Sequence, residues 1–305
     1  MTERLRIGTR GSPLAVFQAE TVGAGLMQAH PDLTVEYVVI RTSGDRIQDR
    51  RLAEIGGKGL FCKEIEEALL DDAIDLAVHS MKDVETVLPP GLCIAAILPR
   101  EDPRDAFLSP KAGSLADLPA GARVGTSSVR RQAQILHRRP DLEIVPFRGN
   151  VETRLRKLDG DEADATLLAM AGLNRLGKAD AVTSVIGTDE LLPAAGQGAI
   201  GIEIREANDR VRECLGAIND PRSETCIAAE RAMLAALDGS CRTPIGALAE
   251  WDGAGAAITL QGLAARPDGT ALHRHADQAP AADAAALGTE TGRVLRAAMG
   301  EDFFT

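Results

Sequence analysis

The chain reads as an α/β protein of two similar sheet-and-helix units followed by a small α+β segment. Three observations predict this: strand-like and helix-like stretches alternate through the first two hundred residues, one short strand–turn–helix unit occurs twice, and the pattern changes near Asp220. At 305 residues the chain exceeds the usual size of one hydrophobic core, so two or three domains are expected. The boundaries read as 1–99 with 200–219 for the first domain, 100–199 for the second and 220–305 for the third.

In order, "LRIGTR" is a short buried strand, and Ser12 with Pro13 supplies an N-cap and a first helical position for "SPLAVFQAETVGAGLMQAH". "TVEYVVIRTSGD" is a second strand. The polar stretch from Thr42 to Lys58 lacks periodicity and reads as a flap, after which "GLFCKEIEEALLDD" begins a helix. "DLAVHSMKD" and "LCIAAILPRED" are apolar runs that end in charge.

"ARVGTSSVRRQAQILHRRP" then repeats the first unit in outline: a strand, a Gly-Thr turn, a serine and a helix carrying glutamine. "LEIVPFRGN", "VETRLRKL" and "ATLLAMAGLNRLG" continue the alternation. The glycine-rich "AAGQGAIGIEIRE" turns into a strand that crosses back to the first domain. Two helical runs follow "DRVRECLGAIND", then the "DGSC" turn, strand-like "PIGALAEW" and "AAITLQGLAAR", and a terminal alanine-rich helix.

A formal net charge of -11 disfavours nucleic acid and anionic membranes as partners unless basic residues are gathered in one place. The aromatic share of 3% argues against base stacking. No stretch has the apolar length of a signal peptide core or a membrane span, so a cytoplasmic protein is expected. Five cysteines without CxxC spacing predict reduced thiols, with no zinc cluster and no bound metal. "GGKG" is not a phosphate loop, because Lys58 precedes Gly59 instead of Ser or Thr.

The basic residues do gather at strand ends: Arg10, Lys58, Lys82, Arg130, Arg131, Arg148, Arg154 and Arg175. Ligands of open α/β sheets bind at the carboxyl ends of strands, where helix N-termini favour anions. Ser12, Thr126, Ser127 and Ser128 add hydroxyls at two such helix starts. The implied ligand carries several carboxylates or phosphates. Arg130 and Arg131 stand at a helix start, where positive charge opposes the helix dipole, so a compensating anion is expected there.

Asp83, after the strand in "HSMKD", is either a cap or salt-bridge partner or a carboxylate that stabilises a forming cation. His79 reads as structural, and His273 and His275 as lying on an exposed strand. Cys62, Cys93, Cys214 and Cys226 fall in helix or strand patterns and read as packing residues. Cys241 differs, since a turn position beside Arg242 raises the thiolate fraction and suits covalent chemistry.

Taken in order, "GTRGSPLA", "GGKGLFCKEIE", "DLAVHSMKD", "GTSSVRRQAQ", "RGNVETRL", "AAGQGAIGIE" and "DGSCRTPIG" closely resemble the hydroxymethylbilane synthase, or porphobilinogen deaminase, family across nearly the whole chain. The resemblance implies two α/β domains like those of type II periplasmic binding proteins around a cleft, plus a third domain carrying a cysteine on a loop. That cysteine matches Cys241, which would hold a dipyrromethane cofactor by a thioether.

The implied reaction deaminates porphobilinogen, adds four units head to tail to the cofactor and releases hydroxymethylbilane by hydrolysis. Loss of ammonia leaves an electrophilic azafulvene, which the next pyrrole carbon attacks. Asp83 matches the family's catalytic aspartate. By the same resemblance Ser12, Lys82, Thr126, Ser128, Arg130 and Arg131 join Asp83 and Cys241 in holding the cofactor. Arg10, Lys58, Arg148, Arg154, Arg175 and Gln197, again with Ser12, would bind substrate or guide the growing chain. The partners implied are porphobilinogen and the lengthening polypyrrole, with a monomeric protein.

Three positions depart from the family pattern: Glu54 replaces a basic flap residue, Ser240 a glycine before the cofactor cysteine, and Glu85 a proline after Asp83. Two rivals share part of this pattern. A solute-binding or ligand-sensing protein of the same fold would not require Cys241, and a cysteine transferase working through an acyl intermediate would want a histidine base near it.

Overall fold

The computed structural model describes residues 3–46, 61–240, 243–300 and 303–304. Glu54, Lys58 and Cys241 lie outside the described residues. Two compact units emerge: one from the described residues of Met1–Asp49, Gly56–Glu101 and Ala199–Glu224, the other from those of Asp102–Gly198 and Thr225–Thr305.

The first unit begins with β1 (Glu3–Arg10), α1 (Pro13–Ala29), β2 (Leu33–Ile40), α2 (Ser43–Arg46), α3 (Lys63–Leu70), β3 (Leu76–Ser80) and β4 (Leu92–Ile97). The second runs through β5 (Asp105–Leu108), β6 (Arg123–Gly125), α4 (Val129–Arg138), β7 (Glu143–Val145), α5 (Val151–Asp159), β8 (Ala165–Ala169), α6 (Met170–Arg175) and β9 (Ser184–Val185). The chain then returns to the first unit as β10 (Ile200–Arg205) and α7 (Asp209–Gly216). Last come α8 (Pro221–Ala236), β11 (Ile245–Trp251), β12 (Ala257–Ala265), β13 (Leu272–Pro280) and α9 (Ala284–Ala298).

In the first sheet the strand order is β2-β1-β3-β10-β4. Strand β1 runs parallel to β2 and β3, while β10 runs antiparallel to both β3 and β4. The central strands β3 and β10 are buried along nearly their whole length, because both faces of the sheet are covered. Leu5, Ile7, Leu76, Val78, Ile202 and Ile204 meet Val22 and Leu26 of α1 on one face. On the other, Ala77 and Ile74 meet Ile65 and Leu69 of α3.

The second sheet has the order β7-β6-β8-β5-β9, with β6 parallel to β7 and β8 and β5 antiparallel to β8 and β9. Both sheets therefore have the same arrangement. The antiparallel strand is supplied last in one sheet, as β10, and first in the other, as β5. Behind the remaining sheet, β11-β12-β13, helices α8 and α9 close a small core around Met233, Leu237, Ala247, Leu260 and Leu295. The fold is thus mixed α/β with two matching sheets and a small α+β C-terminal part.

The repeated unit seen in the sequence is one local structure used twice. Ser12 caps α1 by accepting from the Ala15 amide at 3.3 Å, and Ser128 caps α4 by accepting from the Arg131 amide at 3.4 Å. Six residues beyond each cap stands a buried glutamine, Gln18 or Gln134. The counterpart of Gln18 is thus Gln134; Gln132, where the sequence match ends, instead donates to the Pro267 carbonyl at 3.0 Å.

Candidate active site

Asp83 ends a 3-10 turn, Met81–Asp83, directly after β3. The Met81 amide donates to the Ala199 carbonyl at 3.0 Å, and the Val84 amide closes the turn on the Met81 carbonyl at 3.2 Å. Gly201 on β10 leaves the space that the Met81 sulfur fills, so any side chain there would displace it. From below, the Cys62 thiol donates to the Asp83 carbonyl at 3.4 Å. Beside the turn, Gln18 Nε2 lies 2.9 Å and Oε1 3.1 Å from the Ser80 hydroxyl, which accepts from one and donates to the other. The backbone at Lys82 and Asp83 is fixed on several sides while both side chains stay partly exposed.

Arg10, at the carboxyl end of β1, lays its guanidinium over the Phe61 ring, 4.3 Å from the centroid. This cation–π contact flattens the arginine against a ring and orients it. The sequence reading did not single out Phe61, because one phenylalanine ahead of a helix has no pattern of its own.

Under the turn lies a buried polar cluster. His79 Nε2 is 2.9 Å from Glu203 Oε2, and both side chains are at most 4% exposed. Cys62 Sγ sits 3.9 Å from His79 Nδ1. Burial pushes the Cys62 thiol far up, reinforced by the charge of Asp83, so it stays protonated and serves as a donor. Burial and the charge of Glu203 push Glu66 up to about 7. Among the described residues, no set of three His, Cys, Asp or Glu side chains has the disposition to hold a metal.

In the second unit, Thr126, Ser127 and Ser128 form the turn from β6 into α4. Thr126 Oγ1 accepts from the Ser128 amide at 3.1 Å, and Ser127 Oγ accepts from the Phe147 amide at 3.1 Å. Each hydroxyl thus accepts one bond from the backbone and has a rotatable proton that can be donated to a ligand oxygen.

Arg130 and Arg131 do stand beside an anion, as their sequence position predicts. The anion that compensates them is Asp105, from the same unit. Arg130 Nη2 donates to one Asp105 oxygen at 2.8 Å, and Arg131 Nε and Nη2 donate to the other at 3.1 and 2.6 Å. The Leu192 and Leu167 carbonyls accept from Arg130 Nη1 and Arg131 Nη1 at 2.7 and 2.8 Å. Burial alone would raise the Asp105 carboxyl, but the two guanidiniums outweigh it and hold it down to about 2. One carboxylate thus offsets one of the two guanidinium charges, and the cluster keeps one net positive charge. Donor capacity also remains for a ligand, since Arg130 Nε is buried without a partner.

Gln197 is also turned inward. It is 1% exposed, and its Nε2 donates to the Pro103 carbonyl at 2.7 Å and to Asp105 at 3.1 Å, so it braces the arginine pair instead of facing a growing chain. Arg154 Nε donates to the Gly149 carbonyl at 2.9 Å and Arg175 Nη2 to the Gly198 carbonyl at 2.7 Å; both remain partly exposed, as does Arg148. Gly149, at φ 125°, turns the chain into the Asn150 cap of α5, and a Cβ there would strike Thr153 at 2.6 Å. That turn fixes the spacing of Arg148 and Arg154.

Ser240 and Thr243, which flank residues 241–242 in the sequence, are tied to each other. The Ser240 amide donates to Thr243 Oγ1, and that hydroxyl donates to the Ser240 carbonyl, both at 2.8 Å.

The model of the porphobilinogen deaminase, dipyromethane cofactor binding domain, matches residues 5–213, and that of the porphobilinogen deaminase C-terminal domain matches residues 224–297. The chain belongs to the porphobilinogen deaminase family. The porphobilinogen deaminase of Nitrobacter winogradskyi is 57% identical over 98% of this chain and 95% of its own length. That of Syntrophotalea carbinolica is 53% identical over 96% and 92%. Among solved structures, the methionine binding protein MetQ is 16% identical, covering 70% of this chain and 89% of its own at a TM-score of 0.45.

As a porphobilinogen deaminase, the chain is a transferase of porphyrin and heme biosynthesis that uses a dipyrromethane cofactor and takes porphobilinogen as substrate. The cofactor-binding match contains Ser12, Lys82, Asp83, Thr126, Ser128, Arg130 and Arg131, and the C-terminal match contains Cys241. The donor chemistry fits the group: serine and threonine hydroxyls, a lysine and the unpaired Arg130 Nε suit pyrrole carboxylates, and one carboxylate suits pyrrole nitrogens. No helix among the described residues is long and apolar enough to cross a membrane.

Proposed function

We propose that this porphobilinogen deaminase joins four porphobilinogen units head to tail on a dipyrromethane held by Cys241 as a thioether, and releases hydroxymethylbilane by hydrolysis. The observation that carries the reading is the Asp83 turn, whose backbone is pinned by Ala199 and Cys62 while its side chain stays partly exposed. A pre-positioned carboxylate stabilises positive charge as it develops, with little reorganisation at the moment of reaction.

When bound, the dipyrromethane supplies the nucleophilic pyrrole carbon on which the chain grows. Asp83 is the catalytic residue: it accepts hydrogen bonds from pyrrole N–H groups and opposes the charge left as ammonia departs. Lys82, Ser12, Thr126 and Ser128 donate to acetate and propionate groups, with Arg130 and Arg131 contributing the donors that Asp105 leaves free. Arg10, held flat by Phe61, joins Lys58, Arg148, Arg154 and Arg175 in taking incoming carboxylates; Gln197 acts one step removed, through Asp105. Positive donors spread over several strand ends suit a product that gains carboxylates with every cycle.

The residues 1–99 with 200–219, 100–199 and 220–305 act as three domains in this reading, and the protein works as a cytoplasmic monomer without nucleic acid or membrane partners. Asp83→Asn tests the assignment. The variant keeps the cofactor mass and loses turnover by about 100-fold or more, as expected when a charge-stabilising group is removed. Full turnover would refute the role of Asp83.

A further inference from the structure

A buried polar pair is costly to fold around, and apolar residues of the same shape in its place are often neutral or stabilising. His79 and Glu203 therefore need a reason to exist. They form a diagonal across the β3–β10 ladder, where His79 lies opposite Gly201 and Glu203 opposite Ala77. Both face α3, whose Cys62 and Glu66 stand one turn apart over them.

His79 is two residues from Met81, the first residue of the catalytic turn, and its cross-strand partner Gly201 is the position whose Cβ would meet the Met81 sulfur. Glu203 is two residues from Gly201, the position that admits the Met81 side chain. Cys62 completes the link, touching His79 on one side and donating to the Asp83 carbonyl on the other. A slip of one residue between β3 and β10 would turn His79 to the opposite face and carry Met81 and Asp83 with it.

We propose that His79 and Glu203 are positioning residues for the Lys82–Asp83 turn: their hydrogen bond locks the end of β3 in register on β10 and so sets where the Asp83 carboxylate stands. The proposal rests on the reading of Asp83 as the catalytic carboxylate. It requires a hydrogen bond between the two side chains and not a net charge. The charged or titratable groups around the pair are Cys62 and Glu66 on α3, Asp83 on the turn, and more distantly Arg10 at the end of β1.

The experiment compares Glu203→Leu, Glu203→Gln and the double variant His79→Leu/Glu203→Leu with wild type and Asp83→Asn, all as holoenzymes. It reads cofactor content by intact mass, thermal midpoint, kcat and KM for porphobilinogen. Glu203→Leu is expected to keep its cofactor and its KM within about threefold while kcat falls about 10- to 100-fold, the size of a misplaced catalytic group. Glu203→Gln, whose amide oxygen still accepts from His79, recovers kcat to within about threefold of wild type. If the lone leucine variant does not fold, the apolar double variant carries the same expectation.

Wild-type kcat in the leucine variants overturns the proposal, as does activity lost solely because the cofactor is missing. A Gln variant as impaired as Leu also overturns it, since charge and not register would then be at work. Full activity in Asp83→Asn would instead overturn the assignment of Asp83, whatever the leucine variants do.

Discussion

Arg131 closes on a single oxygen of Asp105 with two nitrogens, Nε at 3.1 Å and Nη2 at 2.6 Å, in a site where neither side chain is more than 6% exposed. Removing the anion would leave two guanidiniums buried against each other at the start of α4. Asp105→Ala should therefore destabilise the protein by about 3–5 kcal/mol, read from urea denaturation at pH 7. A loss under 1 kcal/mol would contradict the internal pairing.

The same carboxyl gives an acid limb with a defined sign. Its folded value of about 2 lies below the ordinary 3.8, so its stabilisation is complete above about pH 4 and is lost as pH falls through 2. Urea midpoints measured from pH 5 to pH 2 should fall more steeply for wild type than for Asp105→Asn. Parallel curves would contradict it.

Glu66 has the opposite sign. Its folded value of about 7 lies above the ordinary 4.5, so the protein is most stable where this group is protonated in both states. Stability then declines as pH rises from about 4.5 toward 7, because the folded chain keeps a proton that the unfolded chain has released. Glu66→Gln should remove that slope and gain about 1–3 kcal/mol at pH 8 relative to wild type. An unchanged slope would contradict the placement of this carboxyl.

Buried Gln18 and half-buried Ser80 form a pair whose loss should be felt at the catalytic turn. Gln18→Leu leaves the Ser80 hydroxyl without this partner, at a cost of about 1–3 kcal/mol, and should lower kcat more than it raises KM. An effect on KM alone would place Gln18 outside the positioning of Asp83.

Much of the scaffold was legible because it rests on local rules. Ser12 followed by Pro13 announces a helix start, the Gly-Thr-to-serine turn recurs at Thr126–Ser128, and Asp83 follows an apolar run that could only be a strand. The short strands were harder: β9 has two residues, and nothing in "SV" distinguishes it from a loop. What stayed hidden are pairings between residues distant in sequence. Glu203 lies 124 positions from His79, and neither has a pattern that names the other. The arginines show the same limit from the other side. Their sequence position predicted an anion correctly, but only the fold could show that Asp105 is already there.

The intact mass of the denatured protein, wild type beside Cys241→Ser and each after incubation with porphobilinogen, tests the central claim most directly. The account predicts a wild-type excess equal to two linked porphobilinogen-derived units, surviving denaturation and absent from the serine variant. An unmodified wild type after incubation, or the same excess on Cys241→Ser, would contradict the thioether to Cys241.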